Sequence, residues 1–489
     1  MVVQFLKRMR LTPLLCAAFG AITGYYILFY LPLVLTIIVL TLFVITFCFF
    51  RVLSSLNTES RTLKMASLCS TVLAVGLVLG LCAAIAGQKE VKFGIPENNI
   101  TAVEGVLLED PRIISGGKAM VSLSLRRCAA GNNLRADSSG EITVFFPQQS
   151  AEKLKEFGRG TAVFAEGRLR HTERGWTYSA DSLHITKTAP VIERMRTSIR
   201  LSLIERFSGE DWGGLALALL VGIRDNLDTD FVAQYRSAGM SYILALSGMH
   251  LAILAAALAF LLKKPLGLKA SAITSAIIII LYCLFVGPMP SLNRAALMYV
   301  LGVLAVIGAL PKKSMSILAL SFLIQLIVTP SAGNSLSFIL SYLALLGILT
   351  TGKALSMLFA GKIPEFLLQP LALSCGPFIA TAGICSFAFG SITPVCIIAG
   401  LVIAPLTTVF MVGSMIWLVL TLFLPSTLLS IPLSILYRLM EMTAGIAGNI
   451  PRITANPSLI LALSILLFLL ISVFESRRRT ALAKPEPFL

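Results

Sequence analysis

Residues 263–313 read KKPLGLKASAITSAIIIILYCLFVGPMPSLNRAALMYVLGVLAVIGALPKK. Two apolar runs, 270–287 and 294–310, sit between the basic groups Lys263, Lys264 and Lys269 at one end and Lys312 and Lys313 at the other. Arg294 is the single charge between Lys269 and Lys312. At 1.5 Å per residue an 18-residue helix is about 27 Å long, close to the roughly 30 Å hydrocarbon core of a bilayer. The runs do not alternate in polarity, so they are helices and not strands of a membrane barrel. GPMPSLN turns the chain between them, and both basic ends then lie on one side, the cytoplasmic one by the charge rule.

The same phase extends in both directions. Apolar runs at Leu11–Tyr30, Leu31–Phe50 and Ala66–Gly87 precede it, and further runs cover 241–262, 314–330, 335–351, 366–390, 394–424, 427–447 and 457–474. The expected fold is a polytopic α-helical membrane protein of about twelve spans, with both termini in the cytoplasm. Pro370, Pro377 and Pro405 interrupt spans, as is tolerated where a helix packs on protein or lines a cavity. Composition agrees: 56% of the 489 residues are hydrophobic, 13% are charged and mean hydropathy is +0.87. A soluble domain carries about 25% charge, so an ordinary soluble enzyme is excluded.

The net charge is +16, but residues 88–210 contribute only 18 Lys and Arg against 15 Asp and Glu. The excess sits in the short loops between apolar runs, which makes it a topology signal and not a nucleic-acid patch. Eight of the nine cysteines lie in apolar segments, and there is no CxxC or Cys/His cluster, so neither metal site nor cofactor is expected.

Residues 88–190 differ. Five alternating runs, Ile100–Leu108, Ala119–Arg127, Glu141–Phe146, Thr161–Arg170 and Trp176–Lys187, predict a small antiparallel β-barrel of OB or SH3-like type, placed outside the membrane. Residues 191–240 form an amphipathic and re-entrant connector, 241–474 the main helical bundle, and 475–489 a basic cytoplasmic tail. In the connector, Asp225, Asp228 and Asp230 are expected to clamp Arg224 and Arg236.

At residues 239–254, GMSYILALSGMHLAIL, the chain resembles the G-x-x-H-L-L-A-I-S-G-L-H signature of the ComEC family of competence DNA-uptake channels. The lead-in GLALALLVGIRDNLDTDFVAQYRSAG, the segment GPMPSLNRAALM (Gly287–Met298) and LSFILSYLALLGIL (Leu336–Leu349) resemble further family motifs in the family's order. Tyr242 stands where the family has its first His, Ile339 where it has Gln and Ser337 where it has Gly. The resemblance implies a channel for single-stranded DNA in natural transformation, fed by a DNA receptor outside and driven by a helicase or ATPase inside. Many members carry a C-terminal metallo-β-lactamase-like nuclease domain. With three His and 15 residues after Phe474 this chain is expected to lack it, to be no enzyme, and to leave strand degradation to a separate nuclease. Membrane lipid and a second copy of the chain are further expected partners.

Candidate channel-lining residues are Ser247, His250, Arg294, Ser337 and Ser341. Ser247 and His250 are i,i+3 and share a helix face. His250 lies 13 residues, about 20 Å, from Lys263, within the bilayer core, where an ionisable group faces protein or water. The plain alternative is a neutral core histidine. Arg294 is either an interfacial anchor or a cation that meets phosphates at the outer mouth. Ser337 and Ser341 either join helices or line a path. On the barrel, Arg168, Arg170, His171, Arg174, Trp176 and Tyr178 are the candidate nucleic-acid contacts, by phosphate pairing and base stacking. The competing functions are a small-molecule or lipid-linked substrate transporter with an accessory barrel, and a membrane-surface enzyme using His250 as base.

Overall fold

A computed structural model describes residues 13–30, 61–87, 91–114, 116–131, 135–172, 175–310, 313–423 and 426–482. The expected span Leu31–Phe50, the residues Arg174 and Lys312, and residues 483–489 lie outside them.

Helices α1 (Pro13–Tyr30) and α2 (Arg61–Gly87) form a tight pair. A Cβ on Gly20 would stand 2.1 Å from the Leu73 carbonyl oxygen, and one on Gly76 would stand 2.0 Å from that of Ala17. Only glycine allows this backbone approach, the small-xxx-small contact of membrane helices.

Seven strands follow: β1 (Ile100–Leu107), β2 (Arg112–Ile113), β3 (Ala119–Ala130), β4 (Arg135–Phe146), β5 (Ala162–Thr172), β6 (Gly175–Ala180) and β7 (His184–Lys187), with helix α3 (Gln148–Lys155) between β4 and β5. Their pairings close into a ring, β1–β3–β4–β6–β5 and back to β1, with β2 added on β3 and β7 on β5. Alternate residues point inward: Val121, Leu123, Val144, Phe146, Val163 and Ala165 are all buried. The expected all-antiparallel sheet is corrected at one place. β4 and β6 are parallel, because α3 and β5 return the chain to the end where β4 began.

The connector is α4 (Val191–Phe207), α5 (Gly213–Val221) and α6 (Thr229–Ser237). Helix α4 is inverted relative to a soluble helix. Ile192, Met195 and Ile199 are exposed, whereas Arg196 is 6% exposed. Trp212, Phe231 and Tyr235, all fully buried, pack α5 and α6 against the later bundle.

That bundle comprises α7 (Gly248–Val286), α8 (Pro290–Ile307), α9 (Ser314–Val328), α10 (Leu336–Gly347), α11 (Lys353–Phe359), α12 (Glu365–Phe389), α13 (Val395–Leu420), α14 (Ser426–Gly448) and α15 (Pro457–Leu482). Helix α7 is 39 residues long but broken at Pro265 and Gly267, whose φ is +75°. Its two arms fold back on each other. Leu246, just before α7, and Val286, its last residue, both come within 4 Å of where a Cβ on Gly222 would sit. The KKPLGLK segment is thus the tip of a hairpin, as the basic cluster predicts.

Among the described residues six helices are long and apolar enough to cross a membrane, and Pro13–Ile27, Ser314–Val328 and Pro457–Ile471 are shorter apolar stretches. The chain is a membrane protein. The expected span 241–262 needs one correction: residues 241–247 are turn and extended chain, and helix begins only at Gly248.

Candidate functional site

Three helices of the bundle begin close together. The first turn of α7 touches the second turn of α8, since a Cβ on Gly248 would lie 3.6 Å from that of Ala295. Arg294, one turn into α8, joins it to the first turn of α10: its Nη2 donates to the Ser337 carbonyl at 2.9 Å. Of the five expected lining residues, Ser247 caps α7, His250 and Ser337 lie in the first turns of α7 and α10, Arg294 lies one turn into α8, and Ser341 follows one turn along α10.

Ser247 adopts extended backbone (φ −131°, ψ 175°) as the N-cap of α7. Its amide N–H donates to His250 Nδ1 at 3.0 Å, and its Oγ is also 3.0 Å from Nδ1. His250 thus does for the helix start what Glu or Gln does in a capping box. The i,i+3 relation expected on a mid-helix face is instead a cap at the helix entrance. Because Nδ1 is an acceptor, the ring proton sits on Nε2. His250 is 1% exposed, and its Nε2 has no partner.

Arg294 is also 1% exposed. Its guanidinium carbon lies 5.7 Å from the centroids of both the Phe338 and Tyr342 rings. Such placement supplies cation–π attraction in a dry site. Nε and Nη1 have no partner. The interfacial, snorkelling reading of Arg294 is corrected by this burial. Ser337 is exposed and contributes its carbonyl, and Ser341 is half-buried. Behind Arg294, the Tyr342 hydroxyl donates to Gln325 Oε1 at 3.0 Å and lies 3.4 Å from Ser321 Oγ. Sequence reasoning passed over these three residues. The signal was present in Gln325, the only amide in the apolar run of α9. A cavity of about 270 Å³ opens between the start of α7, the middle of α8 and the start of α9, lined by Gly248, Ala252, Ala295, Met298, Tyr299 and Ser314 among others.

On the sheet, the expected nucleic-acid cluster divides between two faces. Across β5 and β6, Arg168 opposes Ser179 and Arg170 opposes Thr177, whereas His171 opposes Trp176 and Leu169 opposes Tyr178. Side chains alternate, so the two arginines point outward while His171, Trp176 and Tyr178 take the other face. Trp176 is half-buried between His171 (ring centroids 4.5 Å apart) and Phe93 (5.1 Å). Tyr178 is fully buried, and its hydroxyl donates to the Thr101 carbonyl at 2.8 Å. Tyr178 is therefore a core residue. The outward neighbour of the arginines that sequence reasoning left unassigned is Phe145, which opposes Ser179 on β4.

The sheet domain is held to the helices by a cluster of charges. Arg196 of α4 donates to both carboxylate oxygens of Asp110, to the Phe285 carbonyl at 2.5 Å and to the Val286 carbonyl at 3.1 Å. Arg159 pairs with Glu193, and Arg200 Nε lies 3.4 Å from Asp110 Oδ2. Burial pushes the Asp110 carboxyl up, but the Arg196 hydrogen bonds, the Arg200 and Arg196 charges and the Arg159 backbone N–H outweigh it. Its pKa lies below the usual carboxylate value. The expected clamp further along is corrected. Asp228 Oδ1 caps α6 by accepting from the backbone of Asp230 and Phe231, and no ion pair joins Arg224 or Arg236 to these aspartates among the described residues.

Among the described residues no group of three or more His, Cys, Asp or Glu is arranged to hold a metal.

A family model described as "Competence protein" matches residues 219–479, the end of α5 through most of α15. ComE operon protein 3 of Bacillus subtilis is 30% identical over 179 residues, 34% of this chain and 23% of that protein's length. An uncharacterised protein of Aquifex aeolicus is 26% identical over 332 residues, 64% of this chain and 76% of its own. No solved structure matches.

Proposed function

We propose a function on one premise: the chain belongs to the Competence protein family, whose model covers residues 219–479, from the end of α5 through most of α15. It is a channel of the cytoplasmic membrane that takes in one strand of DNA during transformation. The chain supplies about twelve spans, the termini face the cytoplasm and the sheet domain faces outward. A strand carries one charge per phosphate and cannot cross lipid without a wet polar path. The clustered starts of α7, α8 and α10, with Ser247, His250, Arg294, Ser337 and Ser341, are that path's outer mouth. The single observation that carries the reading is the placement of Arg294 and His250, two buried polar groups with unused donors, inside the family-matched region.

The sheet domain hands the strand to this mouth. Its strand order, with one parallel closure and a helix between β4 and β5, supports an OB-like barrel. Arg168 and Arg170 serve phosphates on the outward face, and His171 and Trp176 offer rings at the ring's edge. A receptor outside, a helicase or ATPase inside and a separate nuclease complete the system.

The test is transformation of a deletion strain with labelled DNA, scoring cytosolic entry per folded molecule. The intact chain restores entry. His250→Ala lowers it, and His250→Leu lowers it further by drying the path. A lipid- or core-facing histidine gives the opposite order, because Leu fills the space that Ala leaves empty. Normal entry by both variants would remove His250 from the path, and entry without the chain would remove the function.

A further inference from the structure

Arg294 is a guanidinium that the chain buries without neutralising. It is 1% exposed, and two of its three nitrogens, Nε and Nη1, have no hydrogen-bond partner. None of the ion pairs within 4 Å among the described residues includes it. Its one hydrogen bond goes to a neutral carbonyl, and its other neighbours are two aromatic faces. An isolated buried cation is among the least favourable arrangements in a protein, and arginine cannot escape by losing its proton. Ring faces and one carbonyl offset only part of that cost.

The surroundings favour negative charge. Arg294 is the fifth residue of α8, just past its first turn, and it bonds the first turn of α10. The first turn of α7, which packs against α8 at Ala295, carries another buried donor with no partner, His250 Nε2. Helix starts carry unsatisfied N–H groups and the positive end of the helix dipole. The start of α10 lies at the Arg294 guanidinium, and that of α7 packs against Ala295, the next residue of α8.

We infer that the Arg294 guanidinium, buried between α8 and the first turn of α10, is a binding site for a small oxyanion of the phosphate class, resident as its counter-ion. Several donors pointing in different directions suit a ligand with several oxygens, and the guanidinium matches phosphate by paired hydrogen bonds. The anion is bound in the resting protein, with or without DNA, so this inference and the uptake function stand or fall separately.

The experiment uses the full chain in maltoside micelles free of phospholipid, with gluconate as the only other anion, and follows thermal unfolding by tryptophan fluorescence. Inorganic phosphate raises the midpoint in proportion to the logarithm of its concentration, as for a ligand bound only by the folded state. Chloride does so only at much higher concentration. Arg294→Lys keeps a weakened response, and Arg294→Gln loses it. Arg294→Met covers the event that Gln fails to fold. An apolar replacement of similar length removes the buried charge, so this variant is at least as stable as wild type without phosphate and indifferent to it. Repeating the titration in nanodiscs of phosphatidylglycerol and of phosphatidylcholine separates the sources. A response to free phosphate that persists in both identifies the free ion, and one abolished only in phosphatidylglycerol identifies a lipid phosphate. An unchanged wild-type midpoint in phosphate overturns the inference, as does an Arg294→Met midpoint that rises as the wild type's does. Equal potency of chloride overturns the oxyanion class.

Discussion

Replacing Arg196 by Leu should detach the sheet domain from the bundle while leaving both folded. Arg196 ties together Asp110 of the sheet domain, Glu193 of its own helix and the last two carbonyls of α7. Removing one partner of a buried pair costs about 3–5 kcal/mol when the other charge is stranded. Asp110 keeps Arg200 at 3.4 Å and the Arg159 N–H at 3.2 Å, and its side chain is 20% exposed. Those contacts place the cost at the low end, about 3 kcal/mol, which is a change of roughly 100-fold in the docking equilibrium. The assay is amide hydrogen exchange in micelles. Protection of Arg159 and of the first turns of α4 falls by roughly that factor, while α1 and α2 are unchanged. The dependence on pH has a definite sign. The Asp110 pKa is depressed in the folded protein, so its contribution is present above the unfolded value, near 4, and is lost as pH falls through the folded value. The wild type therefore weakens in docking on acidification below about pH 4, and Arg196→Leu does so less. Equal exchange in wild type and variant, or a uniform loss of protection over the whole chain, would refute the reasoning.

Gly76→Val should separate α1 from α2, since its Cβ would stand 2.0 Å from the Ala17 carbonyl oxygen. Cys16 and Cys69, whose thiols meet across this pair, cross-link on mild oxidation in the wild type and not in the variant, read by peptide mass spectrometry. Arg168→Ala and Arg170→Ala should each reduce the salt dependence of single-strand binding by about 0.7 in log–log slope, whereas Tyr178→Phe should cost about 1 kcal/mol of stability and leave binding unchanged. Binding that tracks Tyr178 and ignores the arginines reverses the assignment of faces. A reporter fused at Ser139 should register outside and one at Lys312 inside, and the opposite result at either site breaks the topology.

How much was legible follows from the range of each interaction. The KKPLGLK tip was readable because charge and hydropathy act locally, so both arms of α7 fall where the apolar runs end. The strand runs were readable because alternation is a property of consecutive residues, and Phe145 and Phe146 do take opposite faces. The start of α7 was misjudged. LALSGMH is apolar enough to pass for helix, and only the reach of His250 back to the Ser247 N–H sets the boundary. The basic cluster Arg168, Arg170 and His171 was misjudged by nearness in sequence, since adjacent strand residues point apart.

Sequence by itself determined that this chain enters a membrane, where its basic loops lie, that a separate strand-rich domain follows the third apolar run, and which family its motifs resemble. Those follow from the transfer of residues between water and hydrocarbon, which needs no knowledge of neighbours. Tertiary structure alone decided that Tyr178 is core and Phe145 is not, that Arg196 holds two domains together, and that Arg294 is buried beside two aromatic rings with donors unused. Each depends on residues far apart in the chain meeting in space, from Phe145 and Ser179 to Arg196 and Val286, and no local pattern encodes which of many polar side chains will find a partner and which will be left without one.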